Sequence, residues 1–180
     1  MERYAAFLRG INLGGRRITN DELRQRFEQL GLADVACFRA SGNVIFGAEE
    51  SEESKLSERV EVGLGKSLGY EVPVFLRNKT EMRAITAHDP FDPKQMERSA
   101  GKLQIALLEE KPTARAGKEV LARATDEDLL ALEGRELYWL PAGGTLDSEL
   151  DLKAIESTLG TWTMRTKGTI DQIAAKHFGV

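Results

Sequence analysis

The chain has 180 residues, 41% hydrophobic and 30% charged, with a formal net charge of −4, a composition that suits a soluble globular protein of one domain or two tightly packed halves. That acidity argues against a protein held to nucleic acid by bulk electrostatics. The single cysteine, Cys37, excludes an internal disulfide, and no apolar run approaches the ~20 residues that a bilayer span needs.

Taken in chain order, Tyr4 to Arg9 is a strand candidate that runs into a loop with glycines at 10, 14 and 15. Thr19 with Glu22 three residues later matches a capping box. Leu23, Phe27 and Leu30 follow on one helical face, which Gly31 ends. Val35 to Ala40 and Val44 to Phe46 are β-prone runs joined by Ser41-Gly42-Asn43, a hairpin pattern. Leu56, Val60, Leu64 and Leu68 recur every four residues on a second helix stopped by Gly69. Val72 to Leu76 is a further strand, which Pro73 places at an edge or at its beginning. The order is β-α-β-β-α-β.

A second pass through the same order is predicted after residue 100. Lys102 to Leu108 is a strand and Pro112 to Ala124 is helix-prone. Leu129 to Leu132 and Glu136 to Leu140 flank the turn Glu133-Gly134-Arg135. Leu152, Ile155 and Leu159 lead to Gly160, Trp162 to Arg165 gives the last strand, and Thr169 to Phe178 a final helix. Between the halves Lys79 to Ala87 reads as a linking helix that ends where Pro90 and Pro93 break it. The fold class is therefore α+β: two ferredoxin-like βαββαβ halves with a linking helix and an additional C-terminal helix. The halves are 1–78 and 101–180, joined by 79–100. Sequence identity between them is negligible, so one continuous α+β domain remains the alternative.

Three segments resemble one family. Leu8-Arg9-Gly10-Ile11-Asn12-Leu13-Gly14-Gly15 is similar to the opening signature of the bacterial domain of unknown function 1697 family, and Ser41-Gly42-Asn43-Val44-Ile45-Phe46 is similar to its Ser-Gly-Asn hairpin. Leu137 to Pro141, Gly144, Thr163, Arg165, Thr169 and Ile170 resemble its C-terminal part, while Met164, Thr166 and Lys167 depart from the family's usual tail. The resemblance implies a small α+β protein of unestablished activity.

The glycine loop is neither a Walker A motif, since no Lys-Ser/Thr follows Gly15, nor the G-x-G-x-x-G fingerprint, since the helix opens only near Asn20. Two readings of it stand. In one, the glycines allow a tight crossover and Asn12 bonds the backbone. In the other, exposed N–H groups with Arg9, Arg16 and Arg17 alongside hold a phosphate or carboxylate. Ser41 and Asn43 read as turn residues. Arg39 and Asn43 stand where a Gly-x-Ser-x-Gly elbow needs glycine, and neither His88 nor His177 is placed to activate Ser41. Histidines so far apart give no metal-ligand spacing, and His177 falls on the apolar side of its helix. Tyr138 and Trp139 alternate on one strand, so one ring is core and the other is core or exposed beside Arg135, where it could stack on a base.

Arg165 and Lys167 repeat the strand–loop–helix layout of the N-terminus, and the two basic loops are expected to share a cleft. The expected ligand site comprises Arg9, Gly10, Asn12, Gly14, Gly15, Arg16, Ser41, Asn43 and Arg165, with no metal and no cofactor. The expected function is binding of a small-molecule anion in the cytoplasm, without a membrane and without nucleic acid. The alternatives are an enzyme acting on such a ligand, or a protein or nucleic-acid interaction module; the oligomeric state stays open.

Overall fold

The computed structural model describes residues 1–50, 52–100 and 102–180. It contains β1 (Glu2–Leu8), α1 (Asn20–Gln29), β2 (Ala33–Cys37), β3 (Asn43–Ala48), α2 (Glu53–Leu68), β4 (Val74–Asn78) and α3 (Lys79–Ala87). There follow α4 (Pro93–Arg98), β5 (Gln104–Leu108), α5 (Ala114–Leu121), β6 (Asp128–Glu133), β7 (Glu136–Pro141), α6 (Leu152–Leu159), β8 (Trp162–Thr166) and α7 (Lys167–His177). The class is α+β, with two four-stranded antiparallel sheets of order β2-β3-β1-β4 and β6-β7-β5-β8. Two compact units divide the chain, Met1–Arg83 with Ala175–Val180, and Ala84–Ala174. Among the described residues no helix is long and apolar enough to cross a membrane.

In the first unit, alternation along the strands puts Tyr4, Ala6 and Leu8 of β1, Phe46 of β3 and Leu76 of β4 into one core with Leu23 and Phe27 of α1 and Leu56, Val60 and Leu64 of α2. Phe46 anchors this core, its ring centroid 6.0 Å from that of Tyr4 and 5.5 Å from that of Phe27. The capping box is formed: Glu22 N–H donates to Thr19 Oγ1 at 3.2 Å, and Thr19 N–H donates to Glu22 Oε2 at 2.8 Å. Gly69 closes α2 with φ 79, in the left-handed region. Pro73 precedes β4, which is an edge strand as a proline there requires.

In the second unit, Ala106, Leu108, Leu137 and Trp162 of the sheet bury against Val120 of α5 and Ile155 of α6. Gly134 and Arg135 make the two-residue turn between β6 and β7, with Glu133 paired to Glu136. Tyr138 and Trp139 are both buried, each only 1% exposed, so neither ring is offered to a base. One helix was not read from the sequence. Pro90 and Pro93 looked like breakers, yet Pro93 occupies the first position of α4, where its missing N–H has no intrahelical partner to lose. Asp92 and Gln95 complete a second capping box there, with reciprocal hydrogen bonds of 2.9 Å.

The two sheets repeat down to their registers. Ala5 pairs with Ile45 and Arg77, and Ile105 pairs with Tyr138 and Arg165. Arg77 Nη1 donates to the carbonyl of Leu76 at 2.7 Å, and Arg165 Nη1 donates to the carbonyl of Met164 at 2.8 Å. The next residue caps the helix that follows in each case: Asn78 Oδ1 accepts from Glu81 N–H at 3.0 Å, and Thr166 Oγ1 accepts from Thr169 N–H at 3.2 Å. Arg-x-Lys at 77–79 and 165–167 is the short trace of this equivalence in the sequence.

These roles differ in weight. Thr19→Ala should cost about 1 kcal/mol of unfolding free energy, and Phe27→Ala about 3–5 kcal/mol, both measured by urea unfolding. A Phe27→Ala loss no larger than that of the cap would contradict the core assigned here.

Candidate functional site

Because β1 lies between β3 and β4, the chain leaving it passes between the β2–β3 turn and the α2–β4 loop. Both neighbours bind it at once. Leu8 N–H donates to the Gly42 carbonyl at 2.8 Å, and Arg9 N–H donates to the Pro73 carbonyl at 3.0 Å. The approach to the turn is close: a Cβ on Gly42, whose φ is +70, would stand 3.1 Å from Leu8 Cβ and 3.3 Å from its carbonyl oxygen.

Asn12 then ties the loop together. Its φ is 59, a conformation asparagine tolerates, and its Oδ1 accepts from Ile18 N–H at 2.7 Å. Its Nδ2 donates to the Ile18 carbonyl at 3.2 Å and, more weakly, to the Ala40 carbonyl at 3.4 Å. Between these anchors Arg16 N–H donates to the Leu13 carbonyl at 3.0 Å, with Gly14 at φ 57 and Gly15 at φ 86 in the middle of the turn. Two positive φ values in succession are the mark of a type I′ turn, which glycine adopts without a Cβ penalty. Asn43, buried at 1% exposure, plays a similar part in the hairpin, where its Nδ2 donates to the Phe38 carbonyl at 3.0 Å and to Ser41 Oγ at 2.9 Å.

The structure thus brings Arg9, Gly10, Asn12, Gly14, Gly15 and Arg16 together with Ser41 and Asn43 at one end of the first sheet. The backbone-bonding role expected for Asn12 is present. Gly14 and Gly15 are exposed, and among the described residues their amides have no hydrogen-bond partner. Residues 9–18 and 38–42 carry Arg9, Arg16, Arg17 and Arg39 and no acidic side chain. The Arg16 guanidinium lies 4.0 Å from the centre of the Tyr70 ring, and Arg39 lies 5.5 Å from that of Phe38. Tyr70 and Arg39 were missed as site residues, and the only local signal for Tyr70 was its place directly after the helix-ending Gly69.

Two nearby groups are unsuited to chemistry. Burial pushes the Cys37 thiol up to about 11, and its Sγ donates to the Asn20 carbonyl at 3.3 Å. His177 packs edge-on to Phe38 with ring centroids 6.4 Å apart, and its buried Nε2 has no hydrogen-bond partner among the described residues. Burial, with Lys176 and Arg3 adding to it, lowers its pKa below the usual histidine range.

Arg165 belongs to the second unit. Its Nη1 donates to Thr163 Oγ1 and to the Met164 carbonyl, each at 2.8 Å, and burial lowers its pKa to about 10, which leaves it charged at neutral pH. His88 lies against Tyr138, with ring centroids 4.9 Å apart. Among the described residues no group of three metal-binding side chains is close enough to hold an ion.

A family described as protein of unknown function (DUF1697) matches residues 1–138. The chain belongs to this family. Its matched span holds both signature segments, and Met164, Thr166 and Lys167, where the tail departs from the family's pattern, lie outside it. The chain is similar in structure to the conserved bacterial protein SP0830 from Streptococcus pneumoniae, with 20% identity and a TM-score of 0.74 over 100% of this chain and 99% of that one. At that identity the likeness shows the fold. No curated protein matches the chain. The two signature asparagines of this family member hold loop to loop, so the signature marks a structural joint as well as a candidate site.

Asn12→Gly and Asn12→Ala separate bonding from backbone strain. Either loses the Ile18 clamp and should cost about 1–3 kcal/mol, and alanine should cost about 1 kcal/mol more because of its Cβ at positive φ. An Asn12→Gly variant as stable as the parent in urea unfolding would show that Asn12 does not clamp the loop. For Cys37, a folded-state pKa raised by burial favours the neutral thiol. Its contribution to stability is complete below the unfolded pKa, about 8.5, and is lost as pH rises through about 11. Iodoacetamide should therefore modify native Cys37 far more slowly than the urea-unfolded chain at pH 8. Equal rates would contradict its burial.

Proposed function

We propose that the protein binds a phosphorylated or carboxylated small molecule at the β1–α1 loop of its first unit. The observation that carries this reading is the concentration of Arg9, Arg16, Arg17 and Arg39 on two loops joined by Asn12, with no carboxylate in either segment. Arginine suits this task because its planar fork can meet two oxygens of an oxyanion at once. The exposed amides of Gly14 and Gly15 add donors that need no side chain to be ordered. Asn12 and Asn43 act as framework: their bonds hold the two loops in register, while Ser41 presents its hydroxyl at the exposed rim. Arg16 is steadied by Tyr70, and stacking through the guanidinium face leaves the N–H edge for a ligand.

Pyrophosphate and citrate are suitable probes, with sodium chloride at matched ionic strength as the control. At a concentration a hundredfold above Kd, a bound anion should stabilise the fold by about 2.7 kcal/mol in thermal unfolding. Arg16→Ala combined with Arg17→Ala should weaken binding by about tenfold or more. No shift with either probe, or a shift that the double substitution leaves unchanged, would refute the assignment.

A further inference from the structure

Among the described residues, His177 Nε2 is the one buried side-chain nitrogen or oxygen without a hydrogen-bond partner. A folded protein keeps such a group at a cost, and in an imidazole that cost depends on pH. The neutral ring leaves one polar atom unmet. The imidazolium would present a charged N–H to a place that offers it no oxygen, which is far less favourable.

The ring sits in the segment Ala175–Val180, which belongs to the first unit although α7, which carries it, starts in the second. Several contacts hold this segment to the first unit. The His177 ring lies edge-on to Phe38, just beyond β2, and Lys176 Nζ stands 5.9 Å from the centre of the same Phe38 ring. Arg3 Nη1 of β1 donates to the His177 carbonyl at 3.0 Å. Phe178, the next residue, is buried.

The charged groups facing the imidazole are cations: Lys176 on its own helix and Arg3 of β1. Arg39, beyond β2, adds another 5.5 Å from the Phe38 ring. Asp34 of β2 is drawn to Arg3 instead, at 3.9 Å. Among the described residues no carboxylate pairs with the ring. Burial first, and then Lys176 and Arg3, therefore disfavour its protonation.

We propose that residues 175–180 form an acid-released latch on the first unit, held against Phe38 while the His177 imidazole is neutral and let go when it takes up a proton. The folded-state pKa is depressed, so docking is fully stabilised above the ordinary histidine pKa of about 6.5. That stabilisation is lost as pH falls through the folded value. The latch does not depend on the anion-binding reading.

The experiment uses the full chain with labelled histidine. NMR follows the His177 ring, and amide hydrogen exchange is compared at about pH 7.5 and about pH 5, each amide referred to its intrinsic rate at that pH. Protection of residues 175–178 should fall several-fold at the lower pH while β1 keeps its own. The contact between the His177 and Phe38 rings should disappear as His177 titrates. His177→Phe takes up no proton and should hold the segment equally well at both pH values. If that variant does not fold, His177→Gln serves the same purpose, and His88→Gln, at the other histidine, should retain the response. Protection unchanged between the two pH values, a loss that spreads through β1 as well, or the same loss in the folded variant without the His177 imidazole would each overturn the proposal.

Discussion

The central position of β1 governs the first unit. A strand paired on both sides leaves its terminal residues bordered by two other connections, and here both bond directly to the departing chain, at Leu8 through Gly42 and at Arg9 through Pro73. The β1–α1 loop therefore has little room. Glycine at 42 answers the close approach to Leu8, and the consecutive glycines at 14 and 15 answer the reversed turn. Asn12 supplies a side chain that satisfies both the N–H and the carbonyl of Ile18 on the far side of the loop. The same loop buries Ile11 and leaves Arg16 and Arg17 exposed at that end of the sheet.

Net charge hides this arrangement. The chain carries −4 overall, yet the loop end of the first sheet bears arginines without carboxylates, and a cleft of the second unit bears carboxylates with a single arginine. Attraction for a ligand depends on the field at a site, which over a Debye length of about 8 Å is set by the nearest side chains. An acidic whole can therefore present a positive field at one place and a negative one at another.

Local features were legible in the sequence and meetings between distant segments were not. Thr19 and Glu22 form their cap because both partners lie within one turn, and the four-residue spacing from Leu56 to Leu64 marks the buried face of α2 for the same reason. The hairpin at Ser41-Gly42-Asn43 was readable as a turn, but its bond to Leu8 joins residues thirty-four apart and left no periodic trace. Arg16 on Tyr70 is of the same kind. The short helix α4 was lost because a proline's meaning depends on its position: the ring that breaks a helix interior suits its first residue. The burial of Asp128 gave no signal at all, since an acidic residue before an apolar run looks like any solvated strand end.

The duplication sharpens the functional argument, because two copies of one scaffold show where each has been altered. Registers and the arginines at 77 and 165, each bonded to the carbonyl before it, are kept, as expected of features that hold a sheet together. The connections are not kept. Between β1 and α1 the first unit has residues 9–19, where the second unit, between β5 and α5, has only 109–113. Between β7 and α6 the second unit has 142–151, where the first, between β3 and α2, has only 49–52. Added loop length costs little closure entropy, about 0.6 kcal/mol per doubling, so it accumulates wherever nothing opposes it. Unconstrained insertions, however, do not come with pinned side chains. Each long connection here is held by a buried or half-buried polar residue: Asn12 ties the β1–α1 loop to itself and to the β2–β3 turn, and Asp128 of β6 receives Ser148 of the β7–α6 connection. Ordering a loop in this way is what a binding surface requires and what a passive linker does not.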